Sequence, residues 1–507
     1  MSKSNPTSSV PEPHALFPLT LLDISPAGIG VNFTWLVRGR LDTELIQASI
    51  GRVTNKWRLL AGRVEFAKNE FPYPLQLRIP LAPELDESKY KTFAFTETTS
   101  TVPLTQYVPL PIPTIHPALP HHLTCHQHTP KSAQEWIKRS LPLLWWHVTH
   151  FPSSLGGVGI KDDYTCIGIS FPHGVFDGMG CVLILRALQA EMYQRDWDVP
   201  PPLQEGLNAN PLLEIIEART KELESGSEKG DGLNSMPYAF FENGGIWQVI
   251  RFVWRQFWQE RWYGATKKTL VLPACTVKDL VDEVKEELQN EGITTRITTG
   301  DVIAAWLYKA CYLPSIYSDG TPGHSSTFLS NIGQLRAIIA PNDDLKHYLH
   351  NCFLPLPYPV LTVTELQATP IYRLVCTLAQ ARESRTPEES IRAYAFLQDS
   401  YSKIKPAAVW YRPPGVDEEF ILSNMTVFKL EEVDWGMVGG KETICIYRSL
   451  LSPAPIDFSD QGTVNGWIQG PSGSGDGKLV IELFLNRARW ERLEGWIANL
   501  EKQKQKQ

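Results

Sequence analysis

At 507 residues the chain exceeds what one ordinary hydrophobic core serves, so two domains of about 200 residues each are expected. Its composition is that of a soluble globular protein, and a net charge of -7 without a basic stripe excludes a general nucleic-acid binder. No apolar run approaches about 20 residues and no signal-peptide core follows Met1, so neither a membrane span nor secretion is expected.

Residues 1–15 are rich in Ser and Pro and read as a disordered tail. From Leu16 the pattern becomes ordered, with a strand at Val31–Val37. Asp42 then caps a helix whose apolar face holds Leu45, Ile46, Ile50, Val53, Trp57 and Leu60, ending at Ala61-Gly62-Arg63 before a strand at Val64. Strand, helix and strand make an α/β opening. The stretch from Pro103 to Pro130 is rich in Pro and His and reads as irregular, after which Leu143–Thr149 returns to strand composition and Gly156–Ile160 to a turn.

A strand-like run from Tyr164 leads into Ser170-Phe171-Pro172-His173-Gly174-Val175-Phe176-Asp177-Gly178, followed by helical spacing at Val182, Leu185, Leu188 and Met192. His173 therefore sits where a strand ends and a helix begins, the place where open α/β sheets bind ligands. A lone histidine beside an apolar strand is commonly a satisfied core residue. Here Pro172 and Gly174 flank the ring and Gly178 follows Asp177, loop chemistry that leaves an imidazole reachable.

Pro200–Pro211 and Glu224–Ser235 read as a long connection between two halves. A strand at Lys267–Pro273, a helix at Val277–Leu288 and a capping-box start at Thr298–Asp301 follow. Near the end, strand-like segments at Gly462–Gly470 and Lys478–Leu485 flank a Gly/Ser hairpin tip. A last helix buries Trp490, Leu493, Trp496, Ile497 and Leu500. Domain bounds of 16–205, a crossover segment 206–262, a second domain 263–500 and a solvated tail 501–507 result.

Eight scattered cysteines without a Cys-x-x-Cys pair read as buried free thiols of a reducing, cytoplasmic compartment. His121, His122, Cys125, His126 and His128 have the chemistry of a zinc site, but their bunching between prolines favours a polar loop, and no metal is expected. Trp247, Arg251, Trp254, Arg255, Trp258 and Trp262 mark an aromatic, basic helix. It is read as a packing helix with snorkelling arginines or a channel wall, in preference to a membrane-surface helix. Neither a phosphate loop nor a Gly-x-Ser-x-Gly elbow occurs.

The order of several motifs resembles the BAHD family of acyl-CoA-dependent acyltransferases, in particular fungal members such as the trichothecene O-acetyltransferases. The segments are Leu59–Arg63, Pro142–Thr149, His173–Gly178, Asp301–Ala310, Leu329–Arg336, Tyr348–Asn351, Ser423-Asn424 and Asp434–Gly436. The resemblance implies a two-domain chloramphenicol-acetyltransferase-like α/β fold, with mixed sheets flanked by helices and a channel at the domain interface. It implies an acyl-CoA co-substrate with no permanently bound cofactor, a small-molecule alcohol acceptor such as a terpenoid or polyketide, and a monomer. His173 would be the general base, with Asp177 turned away to pair with Arg336. Asp434 and Gly436 would shape the fold. Ser423, Asn424 and Thr426 would lie near the co-substrate, and Lys267 or Lys268 would meet its phosphates.

The sequence departs from the family's usual Asp-Phe-Gly-Trp-Gly at Trp435, Met437 and Val438. Methionine offers no N–H, so the oxyanion role that some relatives give this tryptophan is not carried over. Backbone amides near Gly174 and the hydroxyls of Ser423 and Thr426 are the remaining candidates. Rival readings are a carrier-protein-dependent condensation enzyme and a catalytically silent metabolite-binding relative.

Overall fold

The computed structural model describes residues 10–67, 74–155, 161–226, 242–243, 246–314, 321–403, 409–410, 412–452, 460–468 and 477–504. The strand Gly30–Arg38 is buried at every position but the last. It pairs antiparallel with Tyr164–Pro172 on one edge and with Glu442–Leu451 on the other. Trp145–Phe151 and Ala94–Thr99 complete a five-stranded sheet. Alternation along these strands divides the side chains between two faces. Phe33, Trp35, Ile167 and Ile169 pack with Ile46, Ile50 and Leu185, residues of the helices Thr43–Lys56 and Gly178–Met192. Leu36, Cys166 and Cys445 pack instead with Leu104, Val108 and Leu123.

As expected, the Asp42 side chain caps the first helix, accepting from the Leu45 amide at 3.0 Å. The helix stops at Lys56, earlier than its apolar pattern suggests. The chain leaves helical geometry at Trp57 and tightens into a 3-10 turn, Arg58–Ala61, that keeps Leu60 and Ala61 buried.

A second sheet of seven strands runs Val360–Thr362, Ser326–Ser330, Glu418–Asn424, Gln461–Ile468, Lys478–Leu485, Thr266–Pro273, Ile115–Pro117. Its longest antiparallel pairs join Lys478–Leu485 to Gln461–Ile468 and to Thr266–Pro273. The helix Thr299–Cys311 packs on it and begins in the expected capping box of Thr298 and Asp301. The sequence-derived turn at 156–160 and hairpin tip at 470–475 lie outside the described residues, as does most of 224–235.

Each sheet takes an edge strand from the other half of the chain, which contiguous bounds of 16–205 and 263–500 do not capture. Ile115–Pro117, within the stretch expected to be irregular, closes one edge of the second sheet. Glu442–Leu451 closes one edge of the first. An edge strand offers unpaired backbone groups, and here the exchange covers them. The termini also differ from expectation. His14 and Ala15 belong to a strand, His14–Pro18, paired with Leu75–Pro80, and the last helix, Arg487–Lys504, runs into the supposed tail. The supposed crossover 206–262 contains the helices Pro211–Gly226 and Ile246–Arg261, and Leu212, Leu213 and Ile216 join the first core.

The helix Ile246–Arg261 turns its polar side inward, contrary to the expected packing helix or channel wall. Arg255 pairs with Glu418 and with Asp460, the latter at 3.1 Å, and Gln259 accepts from the Asn486 amide at 2.8 Å. Arg489, fully buried, braces the same two carboxylates at 2.9 and 2.5 Å. These bonds fix the helix's rotation, so Trp247, Trp254 and Trp262 are 76%, 59% and 67% exposed. The stability therefore rests on the polar side. Trp254→Gln is expected to change unfolding free energy by no more than about 0.5 kcal/mol. Arg489→Ala, which leaves two buried carboxylates to share Arg255, is expected to cost about 3–5 kcal/mol. Urea denaturation of the two variants checks both.

Candidate active site

The first sheet delivers His173 directly. Pro172 opposes Gly30 in the register, and one residue further the His173 amide donates to the Ile29 carbonyl at 3.1 Å. The amides of Val175 and Phe176 fold back onto the Pro172 carbonyl at 3.0 and 3.3 Å, and Asp177 caps the helix Gly178–Met192 through the Gly180 amide at 2.9 Å. Gly174 has a steric reason: a Cβ there would lie 2.7 Å from the Ala27 Cα and 2.9 Å from the Asp23 carbonyl oxygen. Asn351 holds the loop from above, its amide donating to the His173 carbonyl and to Asp23 Oδ1, each at 2.8 Å. Burial pushes the Asp23 carboxyl up to about 7, against the pull of its bonds from Asn351 and Thr20.

Arg336 brings the second half of the chain to this loop. Its Nη1 donates to Asp177 Oδ2 at 2.8 Å and its Nη2 to Oδ1 at 3.1 Å, a bidentate fork. Nη2 also donates to the carbonyls of Tyr348 and His350 at 3.0 and 2.8 Å. The Cys352 amide donates to Asp177 Oδ2 at 3.3 Å. The bonds of Asp177 thus go to Gly180, Arg336 and Cys352 and not to the imidazole.

The His173 ring keeps some accessible surface while protein encloses it. Its Nδ1 lies 3.3 Å from the Phe176 carbonyl oxygen. A proton on Nδ1 directed at that carbonyl leaves Nε2 with its lone pair free. Burial, reinforced by the charge of Arg448, pushes the imidazole down to about 4, while the Phe176 carbonyl and Asp177 act weakly the other way. At neutral pH the ring is an uncharged base.

The other sequence-derived positions separate into near and far. Ser423 and Asn424 end the strand Glu418–Asn424, and the following turn packs on the start of the Asp177-capped helix, where a Cβ on Gly178 would lie 2.5 Å from Met425 Cε. The Thr426 hydroxyl is spent on Asn424 Oδ1 at 2.7 Å, while the Ser423 hydroxyl makes only a 3.7 Å contact to Met425 sulfur. Asp434 and Gly436 lie at the opposite end of the helix Gly178–Met192, which at about 1.5 Å per residue puts them roughly 20 Å from its start. There Asp434 accepts from the Gly436 amide at 2.7 Å and from the Tyr193 hydroxyl. Met437 is 47% exposed.

Lys267 is not placed as a free phosphate ligand. Its ammonium pairs with Glu482 at 3.0 Å and donates to the Arg448 carbonyl at 2.8 Å, because the strand Thr266–Pro273 turns it toward the neighbouring strand. Lys268 pairs with Glu494 at 2.9 Å. His126 and His128 stand with ring centroids 5.1 Å apart, but among the described residues no group of three or more His, Cys, Asp or Glu could hold a metal ion. Cys275 is exposed and the other seven cysteines are buried. Sequence reasoning missed Asp23 and Arg448. Arg448 carries no local signal, whereas Asp23 carries a capping-box spacing with Thr20 that does not disclose its bond to Asn351 across the fold.

No family model matches the chain. It is 24% identical over 283 residues to O-acetyltransferase PaAT-2 of Phomopsis amygdali, covering 54% of this chain and 53% of that protein, so the match spans about half of that relative's length. It is 22% identical over 494 residues to O-acyltransferase pboC of Aspergillus ustus, covering 92% of this chain and 95% of the relative. The crystal structure of F. sporotrichioides TRI101 complexed with coenzyme A and T-2 superposes with a TM-score of 0.60 at 12% identity, covering 95% of this chain and 97% of that one. The fold is shared with TRI101. The chain is thus similar at low identity to fungal proteins named O-acetyltransferase and O-acyltransferase, and the mixed sheets and flanking helices expected from the resemblance are present. No helix among the described residues is long and apolar enough to cross a membrane.

Two outcomes follow from this geometry. Asp177→Asn leaves the nearly buried Arg336 uncompensated and is expected to cost about 3–5 kcal/mol of stability, read by chemical denaturation. The depressed His173 value has a definite sign. Its neutral form contributes fully above the ordinary value of about 6.5, and that contribution is lost as pH falls through about 4. Between pH 7 and 4 the native protein should therefore lose more stability than His173→Ala measured in parallel.

Proposed function

We propose that this protein is an acyl-CoA-dependent O-acyltransferase that acts as a monomer. It transfers an acyl group, acetyl as the first choice, to a hydroxyl of a secondary metabolite such as a terpenoid or polyketide. The observation that carries the reading is the division of labour between His173 and Asp177. The carboxylate is occupied by Arg336, and the histidine, held neutral chiefly by its burial, keeps Nε2 free, as a base needs to be. The relatives' names and the coenzyme A complex of TRI101 support the reaction class.

A CoA thioester is already activated, so no covalent acyl-enzyme is required. His173 Nε2 takes the acceptor's hydroxyl proton as its oxygen bonds to the thioester carbon. The carbonyl electrons move onto oxygen, then return as the C–S bond breaks, and the imidazolium gives its proton to the departing thiolate. Products are an ester and CoA.

Release of CoA thiol from acetyl-CoA with a panel of terpenoid and polyketide alcohols tests this reading. His173→Ala is expected to lower acceptor-dependent release by about 100- to 10,000-fold. Turnover only with an acyl group loaded on a carrier protein would favour the condensation-type enzyme. Ligand-induced stabilisation without any turnover would favour the silent relative.

A further inference from the structure

Building on the acyl-transfer reading, we propose that Arg448 is the oxyanion donor. Its guanidinium meets the negative charge that forms on the thioester carbonyl oxygen when the acceptor attacks. Arg448 lies on Glu442–Leu451, the strand that the second half of the chain lends to the first sheet. It opposes Phe33, which opposes Ile169 in the strand leading to His173. Directly opposed residues share a face and faces alternate along a strand, so these three form one row. His173, four residues beyond Ile169, keeps the same parity.

The hydrogen bonding leaves this cation incomplete. Nη1 donates to the Thr463 hydroxyl at 2.8 Å, Nε is buried without a partner, and Nη2, the nitrogen left to face a ligand, makes no hydrogen bond among the described residues. Glu482 is the nearby acid whose charge acts on Arg448, yet its oxygens are held by other donors. Oε1 pairs with Lys267 at 3.0 Å, and Oε2 accepts from the Asn465 amide at 2.9 Å and from the Arg448 backbone amide. An enclosed guanidinium with a free N–H and no bonded carboxylate suits an anion that the reaction itself supplies.

Two of the alternatives are weaker. Met437 has no N–H and is exposed at the far end of the helix, and the Thr426 hydroxyl already donates to Asn424. The charge of Arg448 also disfavours a proton on His173, so one placement serves the base before attack and the oxyanion after it. The other ionisable groups around that ring are Asp177 on its own loop, Arg336 and His350 behind that loop, and Asp23 through Asn351.

The test compares Arg448→Gln, Arg448→Lys and Thr463→Val with the native protein in the CoA-release assay, alongside titration of His173 by NMR. Arg448→Gln should lower kcat by about 100- to 1,000-fold with little change in either KM, and should move the His173 titration upward toward its ordinary value. Arg448→Lys, a variant that keeps the charge, should leave that titration near the native one while recovering kcat only in part. Thr463→Val should change kcat far less than Arg448→Gln. A raised acceptor KM with native kcat in the Arg448 variants would overturn the proposal in favour of an acceptor anchor. Native kcat and an unmoved titration would reduce Arg448 to a strut between the sheets. Acyl-CoA turnover that persists in His173→Ala would overturn the reading of His173 instead, whatever the Arg448 variants do.

Discussion

The Asp177–Arg336 fork is the contact on which the site depends. It joins the cap of a first-half helix to an arginine 159 positions further along the chain, and the same guanidinium gathers the carbonyls of Tyr348 and His350. An ion pair this deep draws its geometry from many bonds at once, since each buried polar atom left unpaired would carry a large desolvation cost. Because the fork consumes the carboxylate, the imidazole four residues earlier has no acid to charge it. Loop rigidity follows from this interaction, while burial and the charge of Arg448 hold the base neutral.

The second organising constraint is the exchange of edge strands. Glu442–Leu451 extends the His173 sheet, and Arg448 on it binds Thr463 of the other sheet. Lys267, Glu482 and Asn465 lock the same seam from the second sheet. A cation of the second half of the chain is thereby placed in the sheet that carries His173, where its charge acts on the imidazole. The inverted helix Ile246–Arg261 follows a similar logic: buried carboxylates at Glu418 and Asp460 draw Arg255 and Arg489 inward, and the aromatic stripe is left outside.

Elements whose cause is local were legible in the residues. Asp42 and Thr298 mark helix starts because a cap needs only the next three residues, and strand-like composition between turn signals revealed the strands at Val31 and Lys478. The motif order around His173 carried the fold class. The helix end at Trp57 and the short strand at Ile115 were not legible, since a pattern of apolar residues does not say where the backbone leaves it or which distant edge will accept it.

The sequence by itself determined the mixed α/β character, the position of His173 at the end of a strand, and the pairing of Asp177 with Arg336 that the family resemblance implied. Only the tertiary structure decided that Lys267 is spent on Glu482, that Asp434 lies at the remote end of a helix, and that the charge of Arg448 acts on the His173 imidazole. The reason is range. Caps and periodicity act within a turn or two of the chain, whereas a buried charge finds its partner through space, and that choice exists only once both sheets have closed.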